Sequence, residues 1–218
     1  MKMESNIYQG QFGNFTITES DYREVMIYRL GLAVAGISFA VGILLFFWIG
    51  LTPLIEKSLT VLFAIFIISL GVSLQTIHIY LKPLHNTLKL FWLIGTISTI
   101  VLAIKSQESL VIVIKNQPLS LLGIGFIFAS LTGIFIKEAF CFNRIEAKIL
   151  SAMIPTLLLG YIINIFSVKL GIFLLTTWGI LFLVFLMNKA IQEIPPDIGD
   201  KSVFEYLKNQ SKNKETQL

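Results

Sequence analysis

The amino-acid sequence predicts an all-α polytopic membrane helical bundle with six transmembrane helices. Both termini are expected on the inner, cytosol-type side, with short interfacial elements at each end. Three observations predict this. The 218 residues are 55% hydrophobic and only 14% charged, where soluble domains carry roughly 25% charged residues. A chain of this length with so few charges cannot cover its own surface, and it needs the bilayer as solvent. Six apolar runs are of spanning length. The basic residues fall on alternate connections between them.

The runs lie at 30–49, 59–79, 88–104, 119–136, 149–166 and 170–187, each of 17–21 residues. At 1.5 Å per residue that is roughly 26–32 Å, one hydrocarbon core. They divide the chain into a polar arm (1–29), a membrane domain (30–187) and a polar tail (188–218). The apolar stretch 110–114 is too short to span and reads as an interfacial piece before the fourth span. Of the 17 Lys and Arg, only Lys57, Lys105, Lys115 and Lys169 lie on the outer side, leaving thirteen on the side of the termini. Basic residues favour the cytoplasmic side, so an even number of spans with both ends inside is expected.

The arm at 1–29 holds Glu4, Glu19, Asp21 and Glu24 and no apolar segment. It therefore reads as neither a secretory signal nor a transit peptide, and insertion is expected through the spans themselves. Within it, residues 8–18 read YQGQFGNFTIT. Glycines break any helix there and alternation favours an extended, hairpin-like arm. Thr18 or Ser20 can cap a helix that enters the first span through Tyr28 and Arg29. The net charge of +4 belongs to residues flanking apolar runs, so lipid headgroups and the bilayer are the expected partners rather than nucleic acid.

Small residues recur at helical spacing as Gly36/Ala40 and Ser38/Gly42 in the first span and Gly125/Ala129/Gly133 in the fourth. Such faces let helices approach where lipid removes any hydrophobic drive. Packing within one chain is the ordinary reading, and a homo-oligomer through either face is the alternative. No charged residue falls in the middle of a run, which argues against an ion-driven carrier.

Two groups of polar residues are candidate ligand or interface sites. Gln75, His78, Lys82 and His85 are spaced 3, 4 and 3 and fall within about 80° on an unbroken helix. Such a face could hold an anion, a quinone carbonyl or a metal, although Pro83 interrupts it and polar groups at a helix end are what an interface requires. The second group is Lys137, Glu138, Cys141 and Arg144, in KEAFCFNRIEAK at 137–148. Lys137, Cys141, Arg144 and Lys148 share a face if the fourth helix continues. Glu138 is the deepest acid, and a Glu138–His78 contact could bridge the fourth and second spans. Cys141 is a lone thiol among cations, a setting that raises reactivity, and it excludes an internal disulfide. No catalytic residue, metal set or cofactor is assigned, because zinc-protease pairs, nucleophile elbows and paired carboxylates at depth are missing from the sequence.

The tail opens with IPPDIGDKSVFEYLK at 194–208. Its prolines are expected to end the sixth helix, and Asp200 to cap a short helix at 200–208 with an apolar edge. Docking onto the inner loops is the expected role. Beyond Asn209 the tail reads as disordered.

These same segments carry a resemblance. The stretches YQGQFGNFTIT (8–18), YRLGL (28–32), LGVSLQTIHIYLKPLH (70–85), LFWLIG (90–95), PLSLLGIGFIFASLTGIFIKEAFCFNRIEAK (118–148) and IPPDIGDKSVFEYLK (194–208) are similar to small integral membrane proteins of cyanobacteria and plastids. That family is known as hypothetical chloroplast reading frame thirty-six. The resemblance implies a plastid (chloroplast) or cyanobacterial membrane, and brings no activity and no site. An excess of isoleucine (33) over alanine (10) agrees with AT-rich plastid coding. The expected function is a non-enzymatic assembly, scaffold or regulatory factor within a membrane protein complex. A carrier or channel for a neutral or lipidic solute is the alternative, and a metal- or cofactor-binding membrane enzyme using His78, His85 and Glu138 is the second.

Overall fold

Each apolar run becomes one helix, bounded where the chain offers a cap, a proline or a left-handed residue. The computed structural model describes residues 7–106, 108–204, 206, 207 and 209, and in them six helices are long and apolar enough to cross a membrane. The tail beyond Asn209, expected to be disordered, lies outside the described residues.

A hairpin of β1 (Ile7–Gly10) and β2 (Gly13–Thr16) pairs antiparallel, with Tyr8 opposite Phe15. Helix α1 (Glu19–Ile49) follows at once. Thr18 and Asp21 close a capping box at its start, and Gly50, at φ 77°, ends it. At 31 residues α1 is about 46 Å long, so the interfacial segment and the first span are one continuous rod. Helix α2 (Pro53–Thr76) is capped by Thr52 with proline in its first turn, an arrangement that satisfies or removes orphan donors. It starts six residues earlier than the apolar run indicates and stops three residues sooner. The backbone turns extended at Ile77, and Ile77 and Ile79 drop into the core.

Helix α3 (Lys82–Lys105) opens on Pro83. The short α4 (Leu110–Asn116) packs under α2 and hands over to a 3-10 turn at Pro118–Ser120 and then to α5 (Leu121–Phe142). Asn143, left-handed at φ 52°, terminates α5. Helix α6 (Ile145–Ile162) carries Pro155 internally, and α7 (Val168–Ile191) is capped by Ser167. Contrary to the expectation from sequence, Pro195 and Pro196 do not end the sixth span. That span already stops at Ile191, and the prolines open a separate turn, α8 (Pro195–Ile198). Helical backbone resumes at 201–204 behind Asp200, whose carboxylate accepts from Ser202 N at 2.9 Å.

Aromatic rings fill the middle of the bundle. Phe63 and Phe66 of α2 lie 6.1 and 5.7 Å from Phe128 of α5, centroid to centroid. Phe39 of α1 meets Trp178 of α7 edge-on at 4.5 Å, and Phe135 of α5 meets Phe182 and Phe185 of α7 at 5.3 and 5.2 Å. Offset and edge-on pairs are the favoured aromatic geometries. At two glycines a neighbouring helix backbone lies within reach of an added Cβ. A Cβ on Gly31 would lie 2.8 Å from Ser69 O of α2, and one on Gly95 would lie 2.6 Å from Ile127 N of α5. Beside them, Ser73 Oγ donates to Tyr28 O and Ser130 Oγ to Leu88 O, both at 2.8 Å. The small-residue faces are also filled from within the chain. Gly36 faces Leu186 and Phe182, Gly133 faces Leu88, and Gly125 faces Leu158.

Candidate functional site: a buried ion cluster beneath the two termini

A charge near the end of an apolar helix must find a partner or leave the membrane. Four elements solve that problem together at the end of the bundle that carries both termini. Helix α1 supplies Tyr28 and Arg29, α5 supplies Lys137 and Glu138, α7 supplies Lys189, and α8 supplies Asp197. Glu138 and Lys189 expose 0% and 2% of their surfaces. The Glu138 carboxylate accepts from Tyr28 Oη at 3.0 Å and Lys137 Nζ at 2.9 Å on one oxygen, and from Lys189 Nζ at 2.6 Å on the other. Lys189 Nζ also pairs with Asp197 Oδ1. The second Asp197 oxygen accepts from Arg29 Nε at 2.8 Å and Nη2 at 2.6 Å.

The remaining Arg29 donors end the sixth span. Arg29 Nη1 donates to Gln192 O at 2.6 Å and Nη2 to Glu193 O at 2.8 Å. Gln192 is the C-terminal cap of α7 and Glu193 the residue after it, so Arg29 supplies donors where the helix has run out of its own. The lysines are flanked by rings as well. Lys189 Nζ stands 5.4 Å from the Tyr28 centroid and 4.6 Å from that of Phe142, and Lys137 Nζ stands 5.9 and 5.1 Å from the same two. Cation–π attraction strengthens where the cation is desolvated. Each of the four carboxylate oxygens thus has a donor from the chain itself. Chemically the arrangement ties α1, α5, α7 and α8 together. Glu138 and Asp197 are both buried, so their carboxylates face the cluster rather than solvent.

The residues singled out from sequence separate in space. The face proposed for Gln75, His78, Lys82 and His85 does not form, because the helix ends at Thr76 and the next begins at Lys82. Gln75 and Lys82 are exposed. His85 Nε2 shares a 2.6 Å hydrogen bond with Leu74 O, bracing the turn between α2 and α3. His78 Nε2 lies 3.4 Å from Glu24 Oε2, not against Glu138, so the anticipated His78–Glu138 bridge is absent. Burial lowers the His78 imidazole below its usual 6.5, against an upward pull from Glu24.

The second candidate group is also divided. Asn143 breaks the helix, so Arg144 and Lys148 do not continue the face of Lys137 and Cys141. Cys141 is exposed. Arg144 instead caps α6 and reaches α7, donating to Gln192 Oε1 at 2.8 Å and Asn188 O at 3.2 Å. Among the described residues, no three His, Cys, Asp or Glu side chains are placed to hold a metal ion. Sequence reasoning found Lys137 and Glu138 but missed Tyr28, Arg29, Lys189 and Asp197. The available signal was Glu138 itself: an acid one turn past an apolar run needs a cation on another span at the same depth, and Lys189 was there.

Above the cluster the two termini clasp each other. Gln11 N donates to Asp200 Oδ2 at 2.6 Å, Phe12 N donates to Ser202 Oγ at 3.0 Å, and the Phe12 ring stacks on Tyr206 at 4.0 Å. Gly10 lies so close to Asp200 and Ser202 that a side chain there would collide with both. Lys201 Nζ reaches back to Asp21 Oδ2 of α1 at 2.8 Å. From the second connection, Tyr80 Oη accepts from Asp200 N at 2.5 Å, and its ring stacks on Phe204.

A family model described as uncharacterized integral membrane protein (DUF2301) matches residues 72–206. No curated protein and no solved structure matches the chain.

Proposed function

The chain belongs to that family of integral membrane proteins, and on that premise we propose that it acts as a non-enzymatic assembly, scaffold or regulatory factor for another membrane complex. Its setting in this reading is a plastid or cyanobacterial membrane, with the clasped termini facing stroma or cytosol. The supporting observation is that the charged groups of the buried cluster are spent on one another. Such a network fixes the relative position of α1, α5, α7 and α8, and with them the surface built from hairpin and tail. A rigid platform of this kind suits docking better than turnover. The carrier alternative has less support, since Phe63, Phe66 and Phe128 occupy the space between α2 and α5 where it requires a cavity. The placement in plastids or cyanobacteria draws on the resemblance of the six sequence stretches, and the orientation on the basic side shared by both termini.

The test is affinity capture of the tagged full chain from native membranes, in mild detergent and after cross-linking. Defined companion subunits in constant ratio are the expected result. Recovery of the chain alone in both conditions overturns the proposal.

A further inference from the structure

A second feature adjoins the ion cluster at Phe142 and Gln192 and is independent of the scaffold reading. Along the seam of α6 and α7 runs an apolar groove of about 380 Å³, lined by Ile149, Met153, Leu157 and Leu174 among others, with Lys148 at its rim. From Lys148 to Leu157 the helix rises about 14 Å, close to half of a roughly 30 Å hydrocarbon core. The groove therefore has the length of one leaflet. Next to its rim opens a polar cleft of about 550 Å³, lined by Asn143, Arg144, Asn188 and Gln192. Ile145 lines the cleft, and Ile149, Ala152 and Thr156 line the groove. At spacings of four, three and four these residues share one helical face, so the two recesses form one stripe.

The charges at the junction favour an anion. Arg144 Nε is buried without a hydrogen-bond acceptor. Lys148 is exposed and bridges to Asn143 Oδ1 at 2.6 Å, which holds the ammonium over the boundary between cleft and groove. The acid of the cleft, Glu146, is already engaged. Its Oε1 accepts from Asn188 Nδ2 at 2.8 Å and Arg144 Nη1 at 3.3 Å. We propose that the α6–α7 seam binds one anionic glycerolipid from the leaflet beneath the termini. Its headgroup oxyanion accepts from Lys148 Nζ and lies in the cleft beside the Arg144 guanidinium, and one acyl chain lies in the groove. Basic pockets between helices on the inner side are suited to such headgroups, and charge-assisted bonds to an oxyanion are the stronger kind.

The experiment uses the purified full chain in phosphatidylcholine nanodiscs doped with phosphatidylglycerol, with retained lipid counted by native mass spectrometry. Phosphatidylglycerol should be retained in preference to phosphatidylcholine at one copy per chain. Lys148→Gln should lower that preference about five-fold, the effect of one basic residue at a membrane surface. Ala152→Trp, which fills the groove from an exposed position, should abolish the retained copy. Millimolar inorganic phosphate should not displace it, because the acyl chain supplies the rest of the affinity. Equal retention of the two lipids, unaltered retention in Lys148→Gln, or displacement by phosphate alone overturns the proposal. Should Ala152→Trp fail to fold, the lipid comparison and Lys148→Gln decide it alone.

Discussion

The middle of the bundle and its terminal end hold the same helices together by different physics. In the middle, Phe39, Phe66, Phe128, Phe135 and Trp178 interlock in a solvent as apolar as themselves. Burial there gains little over contact with lipid, and association depends on shape and close approach. At the terminal end, Glu138, Lys189, Asp197 and Arg29 select their neighbours by charge, because a desolvated ion tolerates few substitutes for its partner. The core is therefore forgiving in chemistry and strict in shape, and the cluster is the reverse.

The largest expected effect comes from separating an ion from its partners. Lys189→Met removes the cation shared by Glu138 and Asp197 while conserving most of the volume. Breaking a buried ionic contact in this way costs about 3–5 kcal/mol, which for a chain of this size lowers the melting temperature in detergent by about 10 °C. Phe182→Leu in the aromatic core keeps a hydrophobic side chain but gives up the ring contacts to Phe135 and Trp178, and should cost about 1–2 kcal/mol. Thermal unfolding of the two variants side by side checks the contrast. If Phe182→Leu proves as damaging as Lys189→Met, charge is not what distinguishes the terminal end.

A smaller effect sharpens the statement about shape. Gly95→Ala places a methyl 2.6 Å from Ile127 N, and backbone cannot rotate aside as a side chain can. Separating α3 from α5 should cost about 1–3 kcal/mol. Gly125→Ala, whose methyl would meet Leu158 Cδ1 at an ordinary 3.5 Å, should be neutral within about 0.5 kcal/mol. Chemical or thermal unfolding of both proteins measures the difference. Equal destabilisation would show that α3 and α5 have slack between them.

These two glycines also mark where the sequence was legible and where it was not. Helix number and the pairing of termini on one end follow from residue type alone, since apolar length and basic bias are local properties. Hairpin and cap are equally local: Gly10, Gly13, Thr18 and Asp21 dictate them within a dozen residues. Spacing does not tell which small residue faces backbone. Gly125/Ala129/Gly133 has the repeat, yet Gly31 and Gly95 are where an added Cβ would meet a neighbouring helix backbone. Helix ends were misjudged where structure extends past the apolar run. Lys189 reads as a loop cation if the span stops at Met187, but α7 continues to Ile191 and carries it into the interior. Asp197 reads as a tail residue until α8 folds it under α7. The ion cluster is a meeting of four elements up to 169 positions apart, from Tyr28 to Asp197, and no single window contains it.

The smallest effect concerns the clasp, which borrows from both regions: an ion at Asp200 and a ring stack at Phe12 and Tyr206. Burial alone would raise the Asp200 carboxyl. Hydrogen bonds from Ser202 and from the Gln11 and Ser202 backbones outweigh it and hold the group below its ordinary 3.8. The folded form thus binds fewer protons than the unfolded one, so this contribution is complete above about pH 4 and falls away as pH drops through the depressed value. Hydrogen exchange at residues 7–16 reads it directly. Asp200→Ala should speed exchange about five-fold at neutral pH and leave the melting temperature of the bundle nearly unchanged, since the aromatic core and ion cluster stand without the hairpin. In the unaltered chain the same protection should persist to pH 5 and fail only in stronger acid. Loss of protection near pH 6 would point instead to His78 beside Glu24, whose lowered imidazole resists protonation in the folded chain and would weaken the fold as pH falls below 6.5.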